Sequence, residues 1–315
     1  VGTNPNDVAV NSATNRVYIT NEGSTNISVI NTNTNTVVAT ITVGTSPDGI
    51  ALNPVTNRAY VANTGSNNVS VIDTVANTVL TTITVGTTPN SIALNTATNR
   101  VYVTNEGSNN VSVIDTSTNS LVDLDSGTAG VQSTITVGTT PFSVELNPVT
   151  NRTYVVNRDS NNVSVIDTNT NTVVATITVG TTPFGMAVDP DTDRAYVSNS
   201  GSNNVSVINT STNTVLTTIT AGMTPADVAL NPTSRVYVTN SASGTVSVIN
   251  TSTNSLVDLD SVTDGVQSTI TVGTNPNDVA VNSATNRVYV TNEGSNNVSV
   301  IDDNTGAQTF GAGQQ

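Results

Sequence analysis

Residues 43–84 read VGTSPDGIALNPVTNRAYVANTGSNNVSVIDTVANTVLTTIT, and close copies of this stretch fill the whole chain. The recurring segments are Val-Gly-Thr-x-Pro, Asn-Arg-x-Tyr-Val/Ile-x-Asn, Val-Ser-Val-Ile-Asp/Asn and a β-branched run such as Thr-Val-Val-Ala-Thr-Ile-Thr. A period of about 40 to 50 residues is typical of proteins in which each repeat covers its apolar face by stacking on its neighbours. The seven copies span residues 1–42, 43–84, 85–136, 137–178, 179–220, 221–271 and 272–315.

Each repeat is predicted to form four strands. In the second repeat, apolar or alternating segments at residues 48–52, 58–62, 69–72 and 78–85 are separated by turns rich in Asn, Pro, Gly and Thr. No segment of the sequence has the periodicity of a helix. A four-stranded unit of this length, copied seven times, predicts an all-β fold: a seven-bladed β-propeller that forms a single domain, with four antiparallel strands in each blade.

Tyr and Arg are concentrated on one predicted strand. All seven Tyr, and seven of the eight Arg, recur at fixed positions two residues apart in the second strand, so both project from the same sheet face. We interpret them as scaffolding: Tyr packs between blades with its hydroxyl paired, and Arg pairs with a turn carbonyl or an acid. Val, Ile and Leu of the first, third and fourth strands are expected to complete this packing. The alternative is an aromatic and cationic ring for a ligand.

The composition excludes several kinds of chemistry. The 315 residues include no Cys and no His, and all eight basic residues are Arg. His-dependent triads, imidazole or thiolate metal centres, disulfides and Schiff-base lysines are therefore ruled out, and we predict a protein that is not an enzyme and has no resident cofactor. The formal net charge of −14 disfavours nucleic acid as a partner, and no apolar run is long enough to span a membrane.

The repeat resembles a known family. Val-Tyr-Ile-Thr-Asn at residues 17–21 and Val-Tyr-Val-Thr-Asn at residues 101–105, 236–240 and 288–292 are similar to the signature of the YVTN-type β-propeller repeat. That family is known from surface-layer proteins of methanogenic archaea and from secreted or periplasmic bacterial propellers. The resemblance covers essentially the whole chain, and it implies a seven-bladed propeller in an extracellular or cell-surface setting. It implies no chemistry. A related lyase requires a His, and its activity does not carry over because this sequence has none.

Candidate binding residues occur where the repeats differ, at the mouth of the predicted central channel. The first strand of each blade is expected to line this channel, and most blades place Ala where the fourth blade has Glu. Two Phe in neighbouring blades, beside Asn and Asp, make this mouth the default ligand site of a propeller. The alternative is a plugged or water-filled channel. The candidates are Asn6, Asp7, Asp48, Phe142, Glu145, Phe184, Asp227 and Asp278.

Other clustered acids are candidates for Ca²⁺, which prefers carboxylate oxygens. One group lies in the turn between the first and second strands of the fifth repeat. The others lie in insertions at residues 118–130 and 253–265, which we place between the third and fourth strands of repeats three and six. An extended hairpin with a solvated acidic edge is the alternative for the insertions. The candidates are Asp189, Asp191, Asp193, Asp123, Asp125, Asp258 and Asp260.

Asn-x-Ser/Thr sequons recur at the turn between the second and third strands of six blades, and two more follow the third strand. In an exported chain these surface loops are candidates for glycans. The alternative is that Asn-Asn-Val-Ser is favourable turn chemistry copied with the repeat. The candidates are Asn26, Asn68, Asn110, Asn162, Asn204, Asn209, Asn250 and Asn297.

These observations favour a non-enzymatic extracellular or cell-surface propeller: a component of a surface layer, sheath, filament or adhesin. Its expected partners are other proteins or further copies of itself, with glycans as a second class. The alternative is a secreted binding module that takes a small ligand, peptide or glycan at the channel mouth. The last repeat has a weak fourth strand at residues 307–310, and its vacant edge is a hypothetical acceptor for a strand from a neighbouring molecule.

Overall fold

The all-β prediction is confirmed. The computed structural model describes residues 1–124, 133–232, 234–259, 268–283, 285–295, 297–303 and the backbone of 308–310. Within these ranges the chain forms thirty strands and one short 3₁₀ turn, Glu106–Ser108. The strands make seven antiparallel sheets, each with four strand positions, and the fold is a seven-bladed β-propeller.

The strands follow the repeats in chain order. Sheets one to three contain β1 (Pro5–Asn11), β2 (Arg16–Asn21), β3 (Asn26–Asn31), β4 (Thr36–Thr42); β5 (Pro47–Asn53), β6 (Arg58–Asn63), β7 (Asn68–Asp73), β8 (Thr78–Thr84); β9 (Pro89–Asn95), β10 (Arg100–Asn105), β11 (Asn110–Asp115), β12 (Ser120–Leu121) and β13 (Thr134–Thr136). Sheets four and five contain β14 (Pro141–Asn147), β15 (Arg152–Asn157), β16 (Asn162–Asp167), β17 (Thr172–Thr178); β18 (Pro183–Asp189), β19 (Arg194–Asn199), β20 (Asn204–Asn209) and β21 (Thr214–Thr220). Sheets six and seven contain β22 (Pro225–Asn231), β23 (Arg235–Asn240), β24 (Thr245–Asn250), β25 (Ser255–Leu256), β26 (Thr269–Thr271); β27 (Pro276–Asn282), β28 (Arg287–Asn292), β29 (Asn297–Asp302) and β30 (Gln308–Phe310).

The chain divides into two compact units. The first comprises residues 1–155 and 166–174, and the second comprises residues 156–165 and 175–315. In the first unit the initial strands of successive sheets lie side by side in the order β1, β5, β9, β14. In the second unit the same arrangement joins β18, β22 and β27. The prediction of a single domain stays a prediction.

The core lies between neighbouring sheets within each unit. Between the first two sheets, Tyr18, Ile27 and Ile41 of one sheet pack with Val61 and Ile72 of the next. The same pattern recurs between the following sheets, because the repeats carry the same residues at these positions. Six of the seven tyrosines are buried, which agrees with their interpretation as scaffolding: Tyr18, Tyr60, Tyr102, Tyr154, Tyr196 and Tyr237.

The expected contribution of the fourth strand to this core is confirmed for one Ile per strand and wrong for residues such as Val37 and Val38. Strands two and three supply most of the buried side chains, whereas β4 buries Ile41 and leaves Val37 and Val38 exposed. The fourth strand is the edge of its sheet, so its other side chains reach solvent. One Ile per outer strand is buried in six sheets: Ile41, Ile83, Ile135, Ile177, Ile219 and Ile270.

The expected position of the insertions was also wrong. In the third sheet, β12 and β13 both pair with β11, so the insertion interrupts the fourth strand rather than preceding it. The sixth sheet repeats this arrangement with β25 and β26 against β24. The β-branched Thr-Ile-Thr on the far side of each insertion explains this, because it pairs in the same register as its counterparts in the uninterrupted sheets.

Asn-rich turns close the sheets because Asn tolerates the left-handed conformation. In the second sheet, Asn57, Asn67 and Asn77 have φ angles of 53°, 54° and 56°. At the turn that leads into the first strand of each repeat, Thr88 takes φ 53° where the first repeat has Asn4. A β-branched side chain is strained in this region, so the threonine turns are less favourable than the asparagine turns.

No helix in the described ranges has the length and apolar character that a membrane span requires.

Candidate functional site

Asp7, a binding candidate in the first unit, joins two sheets. One carboxylate oxygen accepts the N–H of Val8 at 2.7 Å, and the other accepts the N–H of Ile50, in the next sheet, at 2.8 Å. The Thr20 hydroxyl accepts the N–H of Asp7 at 2.8 Å and donates to its carbonyl at 3.2 Å. Both contacts hold the irregular start of β1, where the pairing with β2 shifts register. Asp7 therefore has a structural role that the sequence did not reveal.

The same position in other repeats supports this role. Asp227 accepts the N–H of Val279 in the next sheet of the second unit at 3.1 Å, and the Ser91 hydroxyl accepts the N–H of Val144 at 3.3 Å. Where the position is Gly49 or Gly185, a side chain would overlap a backbone oxygen of the neighbouring inner strand. The position therefore joins adjacent inner strands, through a polar side chain or through close backbone approach.

Asp48 is the most perturbed candidate at the inner strands of the first unit. Asn6 donates from Nδ2 to Oδ1 of Asp48 at 2.7 Å. Burial raises the pKa of Asp48 to about 7, with additional contributions from the charges of Asp7, Glu22 and Glu106. Sequence reasoning missed Glu22 and Glu106, although both begin an Asn-Glu-Gly-Ser turn at equivalent points of repeats one and three.

Glu145 occupies the β14 position that most repeats fill with Ala. Its side chain is half-buried, and the pKa of Glu145 is raised to about 7, first by burial and then by the charge of Asp7. In the described part of the chain, no hydrogen bond to its carboxylate is present. Phe142 is half-buried three residues earlier on the same strand. The first unit thus brings Asp7 close enough to both Asp48 and Glu145 to influence them electrostatically.

The second unit holds a separate pair of acids. Asp227 and Asp278 share a hydrogen bond, and the pKa of Asp227 is raised well above its ordinary value by burial first and then by the Asp278 charge and this bond. Two carboxyls in direct contact retain a proton because both ionised forms would repel each other. Phe184 is half-buried near the start of β18. The eight binding candidates therefore fall into two sets, five residues in the first unit and three in the second, and ligand binding by either set stays a prediction.

The sequon residues are part of a hydrogen-bonded clasp between strands two and three. The buried Asn63 donates to Oδ1 of Asn68 at 2.8 Å and to Oγ of Ser70 at 2.9 Å, and its own Oδ1 accepts the N–H of Gly44 at 3.1 Å. The sequon Asn is half-buried and its Ser is buried at the start of the third strand. Six sequon Asn side chains each accept a 2.8 Å bond of this kind: Asn26, Asn68, Asn110, Asn162, Asn204 and Asn297.

The other two sequon residues cap turns. Asn209 accepts the N–H groups of Ser211 and Thr212, and Asn250 accepts those of Ser252 and Thr253, at 2.8 to 3.1 Å. These are Asx turns, which explains Asn or Asp at the end of every third strand. Each of the eight Asn therefore has a bonding role, and glycosylation at these residues stays a prediction.

The acidic turn of the fifth repeat is also an Asx turn. Asp189 accepts the N–H of Asp191 at 3.1 Å and the hydroxyl of Thr192 at 2.7 Å, as Asn53 accepts two turn N–H groups in the second repeat. Asp189 is buried, Asp191 is exposed, and Asp193 adopts φ 54°. These contacts give the turn a structural explanation, and calcium binding there stays a prediction.

Only two of the four Asp candidates in the insertions lie within the described ranges. Asp123 and Asp258 are exposed, while Asp125 and Asp260 lie outside the described residues. Across the described ranges, no group of three or more Asp or Glu side chains is arranged to hold a metal ion.

The Arg side chains pair with the Asp that ends the third strand or with a turn carbonyl, as the scaffolding interpretation predicts. Arg58 bonds Asp73 at 3.1 Å and Arg100 bonds Asp115 at 2.7 Å, where the third strand ends in Asp. Where the third strand ends in Asn209, Arg194 donates instead to the Thr192 carbonyl at 3.1 Å. Tyr60 donates to Oδ1 of Asn119 in the next sheet at 3.1 Å. These contacts support scaffolding over a ligand ring.

Asp303 departs from the repeat at a buried position. Other repeats have Thr here, and the sequence analysis did not single it out. Its carboxylate accepts hydrogen bonds from Tyr237 and Asn231 and pairs with Arg235, joining the sixth and seventh sheets of the second unit. The signal that reveals it is the Asp-Asp pair at 302–303, where the earlier repeats read Asp-Thr or Asn-Thr.

Comparison with solved structures supports the fold. The chain is similar to a Kuenenia stuttgartiensis hydrazine synthase structure, with a TM-score of 0.76 and 20% identity over 96% of both chains. It is also similar to dihydro-heme d1 dehydrogenase NirN in complex with DHE, with a TM-score of 0.75 and 15% identity, covering 96% of this chain and 65% of that one. A functionally unknown protein from Desulfotomaculum acetoxidans gives a TM-score of 0.70 and 17% identity, over 95% and 96% of the two chains.

These similarities show the fold alone, because identity is low in each case. No family model and no curated protein matches the sequence. The resemblance to the YVTN-type repeat family therefore stays an interpretation of the recurring residues.

Proposed function

We propose that this protein is a non-enzymatic structural and interaction propeller of the cell surface or extracellular space, as a component of a surface layer, sheath, filament or adhesin. The observation that carries the proposal is how the recurring side chains are used. The tyrosine hydroxyls, the arginines and the clasp asparagines bond inside the fold, so the repeated residues build sheets rather than a reactive site.

The available chemistry agrees with a non-catalytic role. The sequence contains no Cys, His or Lys, so acids, Tyr and Arg are the titratable groups that remain. Of the acids at the inner strands, Asp7 and Asp227 already accept backbone N–H groups of a neighbouring sheet. A residue that holds two sheets together is poorly suited to exchange protons with a substrate during turnover.

Localisation tests the proposal directly. Antibodies raised against the recombinant protein would be applied to intact and permeabilised cells of the source organism, and gold particles would be counted by electron microscopy. We expect equal labelling of both preparations, with the particles on the outer surface. Labelling that requires permeabilisation and lies in the cell interior would overturn the proposal. An antibody against a known cytoplasmic protein is the control for cell integrity.

A second candidate function is a binding module for a small ligand, peptide or glycan. The observation that favours it is Glu145, whose half-buried carboxylate is not hydrogen-bonded within the described part of the chain. The charge of Asp7 acts on Glu145 and on Asp48, so a cationic group is the natural partner for these acids.

Thermal-shift screening of amines, basic peptides and amino sugars tests this candidate. A ligand that stabilises the wild-type protein, fails to stabilise Glu145→Ala and still stabilises Asp159→Asn would support it. Asp159 is a suitable control because its side chain is largely exposed and belongs to another turn. Equal stabilisation of all three proteins by every active compound would exclude this site.

A further inference from the structure

The outer strands of four sheets are long, uncharged edges that pair with one neighbouring strand each. β4, β8, β17 and β21 are each seven residues long and consist of Thr, Val, Leu, Ala and Ile. None of them contains a charged residue, Pro or Gly. Exposed edges of this composition pair readily with other strands, and proteins normally interrupt them with charge, proline, a bulge or a covering segment.

A bulge, which is one form of edge protection, covers part of three of these edges. The pairing of β4 with β3 skips Val38, and the pairings of β8 and β21 skip Leu80 and Leu216 in the same way. These bulges leave Val38, Leu80 and Leu216 exposed by 46%, 47% and 46%. Beyond the bulge, the last four residues of each strand pair regularly, so a continuous edge segment such as residues 39–42 remains.

The third and sixth sheets provide a contrast within the same chain. Their outer strands are broken into a two-residue and a three-residue piece by the insertions. Short, interrupted edges are a recognised protection against edge pairing. Open and protected edges therefore coexist in one molecule, and the open ones belong to the repeats of regular length.

We propose that the open outer strands β4, β8, β17 and β21 are self-association surfaces, which pair antiparallel with the same strands of a second copy of this chain. The proposal rests on the proposed structural function and names the partner that such a function needs. Residues 39–42 read Ala-Thr-Ile-Thr, so antiparallel pairing with a second copy places Thr40 beside Ile41. Cross-strand pairs of β-branched residues of this kind stabilise sheets.

If two copies associate, charge favours contact at the same surfaces. Two copies that each carry a formal charge of −14 repel each other, and the uncharged outer strands are where approach costs least. Salt screens the repulsion between the acidic surfaces and leaves hydrogen bonding between the strands in place. Association is therefore expected to strengthen as ionic strength rises, which is the opposite of an interface held by ion pairs.

Sedimentation equilibrium of the recombinant full chain tests the proposal at rising protein and salt concentrations. The edge variant carries Val38→Lys, Leu80→Lys, Val174→Lys and Leu216→Lys, one on each open strand, at residues exposed by 46 to 47%. The matched control carries Val55→Lys, Val75→Lys, Val149→Lys and Met223→Lys, between strands and exposed by 55 to 83%. Each variant changes the formal charge from −14 to −10, since four neutral residues become Lys. Circular dichroism melts establish that both variants fold.

The wild-type and control proteins are expected to exceed the 32.2 kDa monomer mass as concentration and salt increase, while the edge variant stays at that mass. A wild-type protein that remains monomeric throughout would overturn the proposal, as would equal association of the edge and control variants. The result is separable from the localisation test. If the protein labels the cell surface but stays monomeric, the proposed function is retained and the self-association proposal is rejected. If the label lies in the cell interior but the protein associates, the proposed function is rejected and the self-association proposal is retained.

Discussion

The buried asparagine clasp predicts a large loss of stability when Asn63 is changed to Ala. Asn63 is fully buried and makes three hydrogen bonds, at 2.8 Å to Asn68, 2.9 Å to Ser70 and 3.1 Å from Gly44. A net contribution of ~1 kcal/mol for each bond gives a loss of ~3 kcal/mol in the free energy of unfolding. The buried Ser70 hydroxyl also loses a partner, which acts in the same direction.

Guanidinium chloride unfolding, followed by circular dichroism, measures this loss. Asn33→Ala is the control, because Asn33 is an exposed turn residue of the first repeat, and a change within ~0.5 kcal/mol is expected. A double-mutant cycle with Ser70→Ala is expected to show a coupling of ~1 kcal/mol, since the two side chains share a bond. A loss below ~1 kcal/mol for Asn63→Ala, with no coupling, would refute the clasp as a stabilising element.

Three further predictions follow from the acids and turns. Because burial raises the pKa of Asp48 in the folded state to about 7, the folded state binds more protons than the unfolded state between about pH 4 and pH 7. The free energy of unfolding should therefore fall as pH rises through this range, by at most ~1.4 kcal/mol per pH unit and by less because Asp48 is partly exposed. Urea titrations across this range should show a smaller fall for Asp48→Asn. Asp303→Thr restores the residue of the other repeats but removes the acceptor for Tyr237, and a loss of ~3 kcal/mol is expected by chemical denaturation, against little change for Asp159→Asn. Thr88→Asn should raise the free energy of unfolding by ~1 kcal/mol because Asn tolerates φ 53° better than Thr; an unchanged or lower value would contradict strain at this turn.

The repeat made most of the fold predictable. In the second repeat, the strands expected at residues 48–52, 58–62, 69–72 and 78–85 each match an observed strand within one residue at either end. In each repeat the turn residues predict turns and the β-branched runs predict strands at equivalent positions, so local preference and repeat period indicate the same fold. Copying also made the scaffolding role of Tyr and Arg predictable, since a residue present in every blade has a similar environment in most of them, as the six buried Tyr show.

Contacts between different strands were less predictable. The insertion was placed before the fourth strand because the sequence shows the extra residues but not where pairing with the third strand begins. The clasp was missed because Asn63 and Gly44 lie 19 residues apart in sequence and meet only when the turns fold together. Asp7 was singled out as a candidate ligand residue, while its bond to Ile50 depends on the register between neighbouring sheets.

The candidate site shows the same limit. Glu145 was recognisable because it replaces the Ala of most repeats, whereas the influence of Glu22 and Glu106 on Asp48 comes from turns that approach in space. The recurring sequence motif acquires a physical meaning from the structure. In Arg-Val-Tyr-Val-Thr-Asn, the Tyr contacts the next sheet, the Thr holds the first-strand bulge and the Asn forms the clasp, as Tyr102, Thr104 and Asn105 illustrate.

If the repeats build a cell-surface scaffold rather than a catalytic site, this chain should occur in ordered assemblies outside the cell. The decisive experiment is electron microscopy of material released from the surface of the source cells, with gold-labelled antibody against this chain. Ordered filaments, sheets or lattices that carry the label are expected. Label confined to dispersed single particles, with no label on assemblies from the cell surface, would contradict it.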